Sequence, residues 1–349
     1  MTQPLQIAVV GAGVMGRQHI AVIAQSGSAE LCAIVDPNPA TEALARQLGV
    51  AWYLDAPAML KGSGADAVIV ANPNAQHVQT ALQCVEQSIS VLLEKPVGTT
   101  LDEVRLLVAG AASANVAVLV GHHRRHNPLI VRARQLLQEQ ALGRITTITA
   151  MWQLQKPDSY FEIPWRREPG AGLLLTNLIH DLDLLRYLGG EVVEVQAFLD
   201  NGARGFANED SAALIMRFEN GALGSVTASD AVAAPWSWEL DSGENPVYPR
   251  QFDQPCYLLA GTLGALSLPQ LQRWQYPHAG DGWHQPLLRH TEPVPAGDAL
   301  HLQFEHFLAV VRDEAVPLVD AADAGKTLAL VEAIQRAATS GTACAPEPL

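Results

Sequence analysis

The loop Gly11-Ala12-Gly13-Val14-Met15-Gly16 constrains this chain more than any other feature. It follows Leu5–Val10, an apolar run that predicts a buried strand, and opens residues 14–25, whose apolar side chains recur at helical spacing. In that setting the first glycine permits a tight turn and the second lets the backbone approach a pyrophosphate. The third brings helix and strand close, with the phosphates at the helix's positive end. Asp36 closes the next apolar run, Leu31–Val35, 20 residues after Gly16, where a carboxylate can bind ribose hydroxyls. Gly11, Gly13, Val14, Met15, Gly16 and Asp36 are therefore expected to bind a dinucleotide. A carboxylate here repels a 2′-phosphate, and Pro37-Asn38-Pro39 add no cation, so NAD is expected over NADP.

Strand-like runs at Asp66–Ala71, Val91–Leu93 and Val116–Val120 alternate with helical patterns near 75–87 and 101–113. Continuous apolar strands separated by helices predict a parallel sheet covered on both faces. Past His126 the order changes. Helices are expected near 129–139 and 173–188, with an irregular stretch rich in Pro, Trp and Arg at 155–172. Strands are expected at 145–151, 192–199, 211–218, 222–229, 256–260 and 265–268, and helices near 299–313 and 321–339 end the chain. Successive strands without helices between them predict a mostly antiparallel sheet. The fold class is thus α/β: an N-terminal Rossmann doubly wound parallel sheet, residues 1–122, then a C-terminal α+β domain with a large open sheet, residues 123–349. Loops are expected at 200–209, 233–255 and 277–299.

The formal net charge of −14 argues against nucleic acid as a partner, because an acidic surface repels phosphate backbones. Cys32, Cys84, Cys256 and Cys344 show no paired spacing, which suits reduced thiols. No basic segment with a cleavable apolar run opens the chain, and no apolar run is long enough to span a bilayer. A cytoplasmic protein without a membrane partner is expected.

Strand 91–93 runs into Glu94-Lys95-Pro96. Carboxyl ends of strands border the ligand crevice in doubly wound sheets, and proline fixes the backbone that aims Lys95. Further on, Gly170-Ala171-Gly172 precedes Thr176, Asn177, His180 and Asp183 in a leucine-rich helix. At i,i+4 and i,i+3 spacing Thr176, His180 and Asp183 share one face, with Asn177 beside it. Polar groups on a half-buried stripe need partners or a ligand.

These motifs, with His19 and Asn72-Pro73-Asn74-x-x-His77, resemble the Gfo/Idh/MocA oxidoreductases, and the resemblance covers nearly the whole chain. It implies hydride transfer between NAD(P) and a secondary alcohol of a sugar, cyclitol or related polyol. It adds Asn72, Pro73, Asn74, His77, Glu94 and Lys95 to the cofactor-binding set. Lys95 would hydrogen-bond the reacting hydroxyl and His180 would be the general acid/base, a task suited to imidazole. Thr176, Asn177 and Asp183 complete the candidate catalytic set. Family members commonly carry Asp where this chain has Thr176, so Asp183 would orient His180 or Thr176 and Asn177 would hold substrate. The resemblance also implies a homodimer or homotetramer, since relatives often use the large sheet in oligomer contacts.

Arg124, Arg125, Trp165 and Arg166, with Asn177 and His180, are the candidate substrate-binding residues. A cationic cluster in so acidic a chain suits a carboxylated substrate, while pairing with acidic side chains or cofactor phosphates is an equal use. Three histidines at 122, 123 and 126 lie among arginines, so no metal is expected. Two other readings share the fold: a nonenzymatic NAD(P)-sensing regulator, and a tight-cofactor oxidoreductase that shuttles hydride between two sugars.

Overall fold

A computed structural model describes residues 3–250 and 253–349. Residues 1–2, and residues 251–252 of the expected 233–255 loop, lie outside the described residues. The chain forms two compact units.

The first unit reaches His126 and takes back Asp298–Leu328 and Leu349. It contains β1 (Leu5–Val10), α1 (Val14–Gln25), β2 (Ala29–Val35), α2 (Ala40–Leu48), β3 (Ala51–Tyr53), α3 (Ala56–Gly62), β4 (Ala67–Val70), α4 (His77–Glu86), β5 (Ser90–Leu93), α5 (Leu101–Ala114) and β6 (Val118–Val120). The six strands are parallel in the order β3-β2-β1-β4-β5-β6. The order reverses direction between β1 and β4, the switch point at which doubly wound sheets open a crevice. Ile7, Val9, Ile34, Ile69 and Leu92 are buried, which explains the uninterrupted apolar strands.

The second unit holds α6 (Pro128–Gln138), β7 (Ile145–Gln153), α7 (Ile179–Gly189), β8 (Val192–Asp200), β9 (Ser211–Phe218), β10 (Leu223–Ser229), α8 (Trp238–Asp241), β11 (Tyr257–Gly261), β12 (Ala265–Leu268), β13 (Gln272–Gln275) and β14 (Leu288–Thr291). The strands form one sheet, β14-β13-β12-β11-β7-β10-β9-β8, antiparallel except at β10–β7. Burial alternates strictly along β9, with Leu214 and Met216 inside and Ile215 outside.

Several expectations change. The expected 233–255 loop contains α8. The helix near 299–313 is α9 (Ala299–Val311), and it belongs to the first unit, where Phe304, Phe307 and Leu308 complete the core of Ile7, Val9 and Ile34. An apolar stripe shows that a helix docks but not on which core. The last helix, α10 (Ala321–Ser340), begins in that unit and ends in the second. The expected 277–299 loop contains β14, whose four residues are all exposed and carry no alternation to mark a strand.

Candidate active site

Every residue in the expected dinucleotide set lies in the loops at one edge of the parallel sheet or in the helices they open. The three glycines are needed for different reasons. Gly11 has φ +92°, and a Cβ there would lie 2.5 Å from the Ala71 carbonyl oxygen. A Cβ on Gly16 would lie 1.8 Å from the Gly11 oxygen, so α1 could not pack against β1. Gly13 differs. Its φ is −71°, which any residue adopts, and a Cβ would meet nothing within 4 Å. The chain's own packing does not require glycine here, but a phosphate group laid against the loop would. The first turn of α1 has no side-chain cap and no acidic residue, and Gly13 and Val14 are exposed. Backbone N–H groups and the helix dipole therefore offer an anion site. These residues fit an NAD pyrophosphate.

Asp36 is fixed from two sides: Oδ2 accepts the Ala12 N–H at 2.8 Å and Oδ1 the Asn38 N–H at 2.9 Å. Asn72 donates to Thr80 Oγ1 at 2.9 Å, and its own Oδ1 is buried without a hydrogen-bond partner among the described residues. His77 is a strut. Its Nδ1 lies 2.7 Å from the Pro96 carbonyl and its Nε2 2.9 Å from the Asn72 carbonyl. The buried ring thereby ties the loop after β4 to the loop after β5. Burial lowers the His77 pKa against the pull of those carbonyls.

Glu94 is buried at the end of β5, and the Lys95–Pro96 peptide is cis. Glu94 Oε1 lies 2.7 Å from His19 Nε2 on α1, and Oε2 accepts the Lys95 N–H at 3.2 Å. Burial opposes ionisation of Glu94. The His19 hydrogen bond, with the electrostatic pull of His19, His123 and Lys95, outweighs it and holds the carboxyl below its usual range. His19 appeared in the sequence only as part of a motif; 75 residues separate it from its partner, and no local pattern connects the two.

In the second unit the polar helix departs from the expected continuous α-helix. A π-helical turn, Leu174–Leu178, precedes α7 and carries Thr176 and Asn177. The wider turn shifts both residues relative to His180, interrupting the i,i+4 stripe; such turns recur at functional sites. Thr176 Oγ1 lies 2.8 Å from both the Gly172 carbonyl and Asn177 Oδ1. One hydroxyl has one proton, so it donates to Gly172 and accepts from Asn177 once that amide is turned over. His180 and Asp183 are buried. Asp183 lies 3.9 Å from Arg186, which also donates two hydrogen bonds to Glu191.

A residue absent from the sequence reading lies beside this turn. Glu209 Oε1 accepts the Leu174 N–H at 3.0 Å, capping the helix from another segment. A Cβ on Gly172 would lie 2.2 Å from that carboxylate, which is why glycine stands there, while Gly170 is favoured by its φ of +84°. Burial raises the Glu209 pKa, opposed by the Leu174 N–H. A glutamate in a polar loop gives no sequence signal of such a role.

The substrate-binding candidates divide. Arg125 is buried and pairs with Asp323 at 2.6 Å, and Arg124 is buried as well. Arg166 donates to the Tyr160 carbonyl at 2.8 Å and lies 4.0 Å over the Tyr160 ring, with its Nε buried and unpartnered among the described residues. Trp165 is 56% exposed, whereas Trp152 and Phe161 are core. Burial lowers the His126 pKa to about 3, so that ring is neutral at physiological pH.

The model of the oxidoreductase family with an NAD-binding Rossmann fold matches residues 5–122, and the Gfo/Idh/MocA C-terminal domain matches residues 130–267. D-apiose dehydrogenase of Paraburkholderia graminis is 27% identical over 96% of this chain and 88% of that one. Myo-inositol 2-dehydrogenase of Thermotoga maritima is 27% identical over 64% and 68%. Rhizopine catabolism protein MocA of Rhizobium meliloti is 28% identical over 53% of this chain and 57% of its own length. Among solved structures, an Agrobacterium radiobacter oxidoreductase in complex with NAD+, L-tartaric acid and magnesium has a TM-score of 0.83 at 19% identity, covering 98% of each chain. The WlbA dehydrogenase of Bordetella pertussis, with NADH and UDP-GlcNAcA, has a TM-score of 0.82 at 24% identity over 99% and 100%. At these identities the structures establish the shared fold. No helix among the described residues is long and apolar enough to cross a membrane.

Proposed function

The chain belongs to the Gfo/Idh/MocA family of NAD-binding oxidoreductases, and we propose that it interconverts a secondary alcohol and a ketone on a sugar, cyclitol or related ring alcohol. The observation that carries this reading is the single sheet edge holding the Gly11–Gly16 loop, Asp36 and Glu94-Lys95. A nucleotide cradle beside the switch point, with an amine on the same sheet edge at the end of β5, suits hydride chemistry on an alcohol.

When bound, NAD supplies the hydride acceptor or donor. Lys95 donates a hydrogen bond to the reacting oxygen and stabilises the charge that develops there. His180 takes the hydroxyl proton, or returns it in the reverse direction. Thr176 donates its hydroxyl proton to Gly172, so it acts in holding the turn, and Asn177, with one N–H given to Thr176, offers its other N–H and its carbonyl to substrate hydroxyls. The apiose and inositol dehydrogenases among the relatives support the polyol class. Arg166, whose Nε is buried without a partner among the described residues, is the residue we assign to a carboxylate on the ring, and Trp165 to the ring's face.

Assembly into a homodimer or homotetramer in the cytoplasm belongs to the same reading. The sheet face bearing Phe198, Ile215, Leu223 and Leu258 leaves these side chains 42–73% exposed, an apolar surface of the kind subunits bury. The test is a panel of polyols, cyclitols, sugar acids and carboxylated diols with NAD+, followed by NADH absorbance. A ring alcohol is expected to turn over; a panel inert in both directions overturns the reading.

A further inference from the structure

Two buried histidines hold the peptide at Lys95. His77 reaches the Pro96 carbonyl at 2.7 Å, and His19 reaches Glu94, whose other oxygen accepts the Lys95 N–H. The His19–Glu94 contact is the more informative. His19 is 0% exposed and Glu94 4% exposed, so both partners were withdrawn from water to make it. A tie between α1 and β5 that served only packing would be cheaper between apolar side chains, because withdrawing a charge from water is unfavourable. The chain also makes room for the carboxylate. Gly121, with no positive φ, faces it, and a Cβ there would press on all three carboxyl atoms at 3.2 Å. A buried carboxylate with reserved space, one oxygen on a helix and the other on the lysine's own amide, has an outlet other than packing.

We propose that His19 and Glu94 form the positioning device of Lys95: the pair anchors the lysine's backbone to the helix that opens on the glycine loop, and keeps a fixed negative charge near its amine. This rests on the reading of Lys95 as the group at the reacting carbon. The arrangement links the two halves of the nucleotide edge, since α1 begins at the pyrophosphate loop and β5 ends at the lysine. The titratable groups around Glu94 are His19 from α1, His123 from the turn after β6, and Lys95 itself, while His77 from α4 senses both Glu94 and Lys95. Glu94 is the anion among these groups, and an anion favours the ammonium form of a neighbouring lysine. Lys95 would then reach the reacting oxygen as a cationic donor.

The test reads Lys95 directly and needs no substrate. Trace acetylation of the full-length protein across neutral and alkaline pH, with mass spectrometry of the Lys95 peptide, gives the midpoint of its titration. Glu94→Gln should lower that midpoint by about one unit, the low end for loss of a close opposite charge, and raise labelling below it about tenfold. Glu94→Asp, which keeps the charge, should restore it. An unchanged midpoint in a folded Glu94→Gln protein overturns the electrostatic role. His19→Asn tests the anchor independently: hydrogen exchange at the Lys95 amide should quicken about tenfold, and unchanged exchange overturns that role. If Lys95 responds as expected but Lys95→Ala retains turnover, the functional reading fails and the pair's action on the lysine stands. If Lys95→Ala abolishes turnover while both variants leave Lys95 unmoved, the reverse holds.

Discussion

Asp36 Oδ2 accepts the Ala12 N–H at 2.8 Å, so the carboxylate that closes β2 is fastened to the glycine loop itself. The acid and the glycine loop are thereby one rigid part, and a carboxylate that binds ribose hydroxyls would need no reorientation. Asp36→Ser should weaken NADH binding about tenfold, the loss of one charge-assisted hydrogen bond. The same change should narrow the preference for NADH over NADPH by a similar factor. Fluorescence titration of both cofactors checks this, and a wild-type protein that prefers NADPH would sink the assignment.

The glycines separate ligand binding from folding. Gly13→Ala adds a methyl group in open space at an unstrained φ, so the melting temperature should stay within about one degree while NADH affinity falls at least tenfold. Gly16→Ala places a Cβ against backbone and should destabilise the fold by about 1–3 kcal/mol or more. Equal loss of stability in the two variants would show that Gly13 serves packing after all.

What could be read from the chain divides along physical lines. The nucleotide edge is legible because its residues follow apolar runs at fixed short spacings, and Gly11, Gly16 and Asp36 sit where those spacings put them. Contacts that join distant segments leave no such trace. His19 and Glu94 meet across 75 residues, Glu209 caps Leu174 across 35, and Arg125 pairs with Asp323 across 198. The π turn is invisible for another reason: the leucines of 173–178 suit a π-helical turn as well as an α-helical one. The helix Ala299–Val311 is legible as a helix, yet its docking on the first unit depends on surface shape rather than pattern.

Lys95 and His180 should be separable from cofactor binding. Lys95→Ala and His180→Ala are each expected to lower kcat about a hundredfold or more on whichever ring alcohol the panel identifies, the usual loss of an acid–base group. NADH affinity should change far less, staying within about threefold, if the glycine loop and α1 carry most of the cofactor's binding. Steady-state kinetics beside NADH titration measures both, and full turnover in either variant removes that residue from the mechanism.

Asp241 bears on stability rather than catalysis. It ends α8 at 2% exposure, and neither carboxyl oxygen has a full hydrogen bond among the described residues. Burial pushes its pKa up to about 7, against the weaker pull of the Ser237 backbone and Arg250. The folded-state pKa is raised, so the folded protein holds a proton that the unfolded chain sheds near pH 4. The stability linked to that proton is present below pH 4 and is lost as pH rises through 7. Asp241→Asn imitates the protonated side chain. It should leave the melting temperature nearly unchanged at pH 4.5 and raise it at pH 8, by an amount corresponding to about 1–3 kcal/mol. Thermal melts followed by circular dichroism at the two pH values decide the matter: a difference between variant and wild type that does not grow with pH would mean that Asp241 is solvated in the folded state.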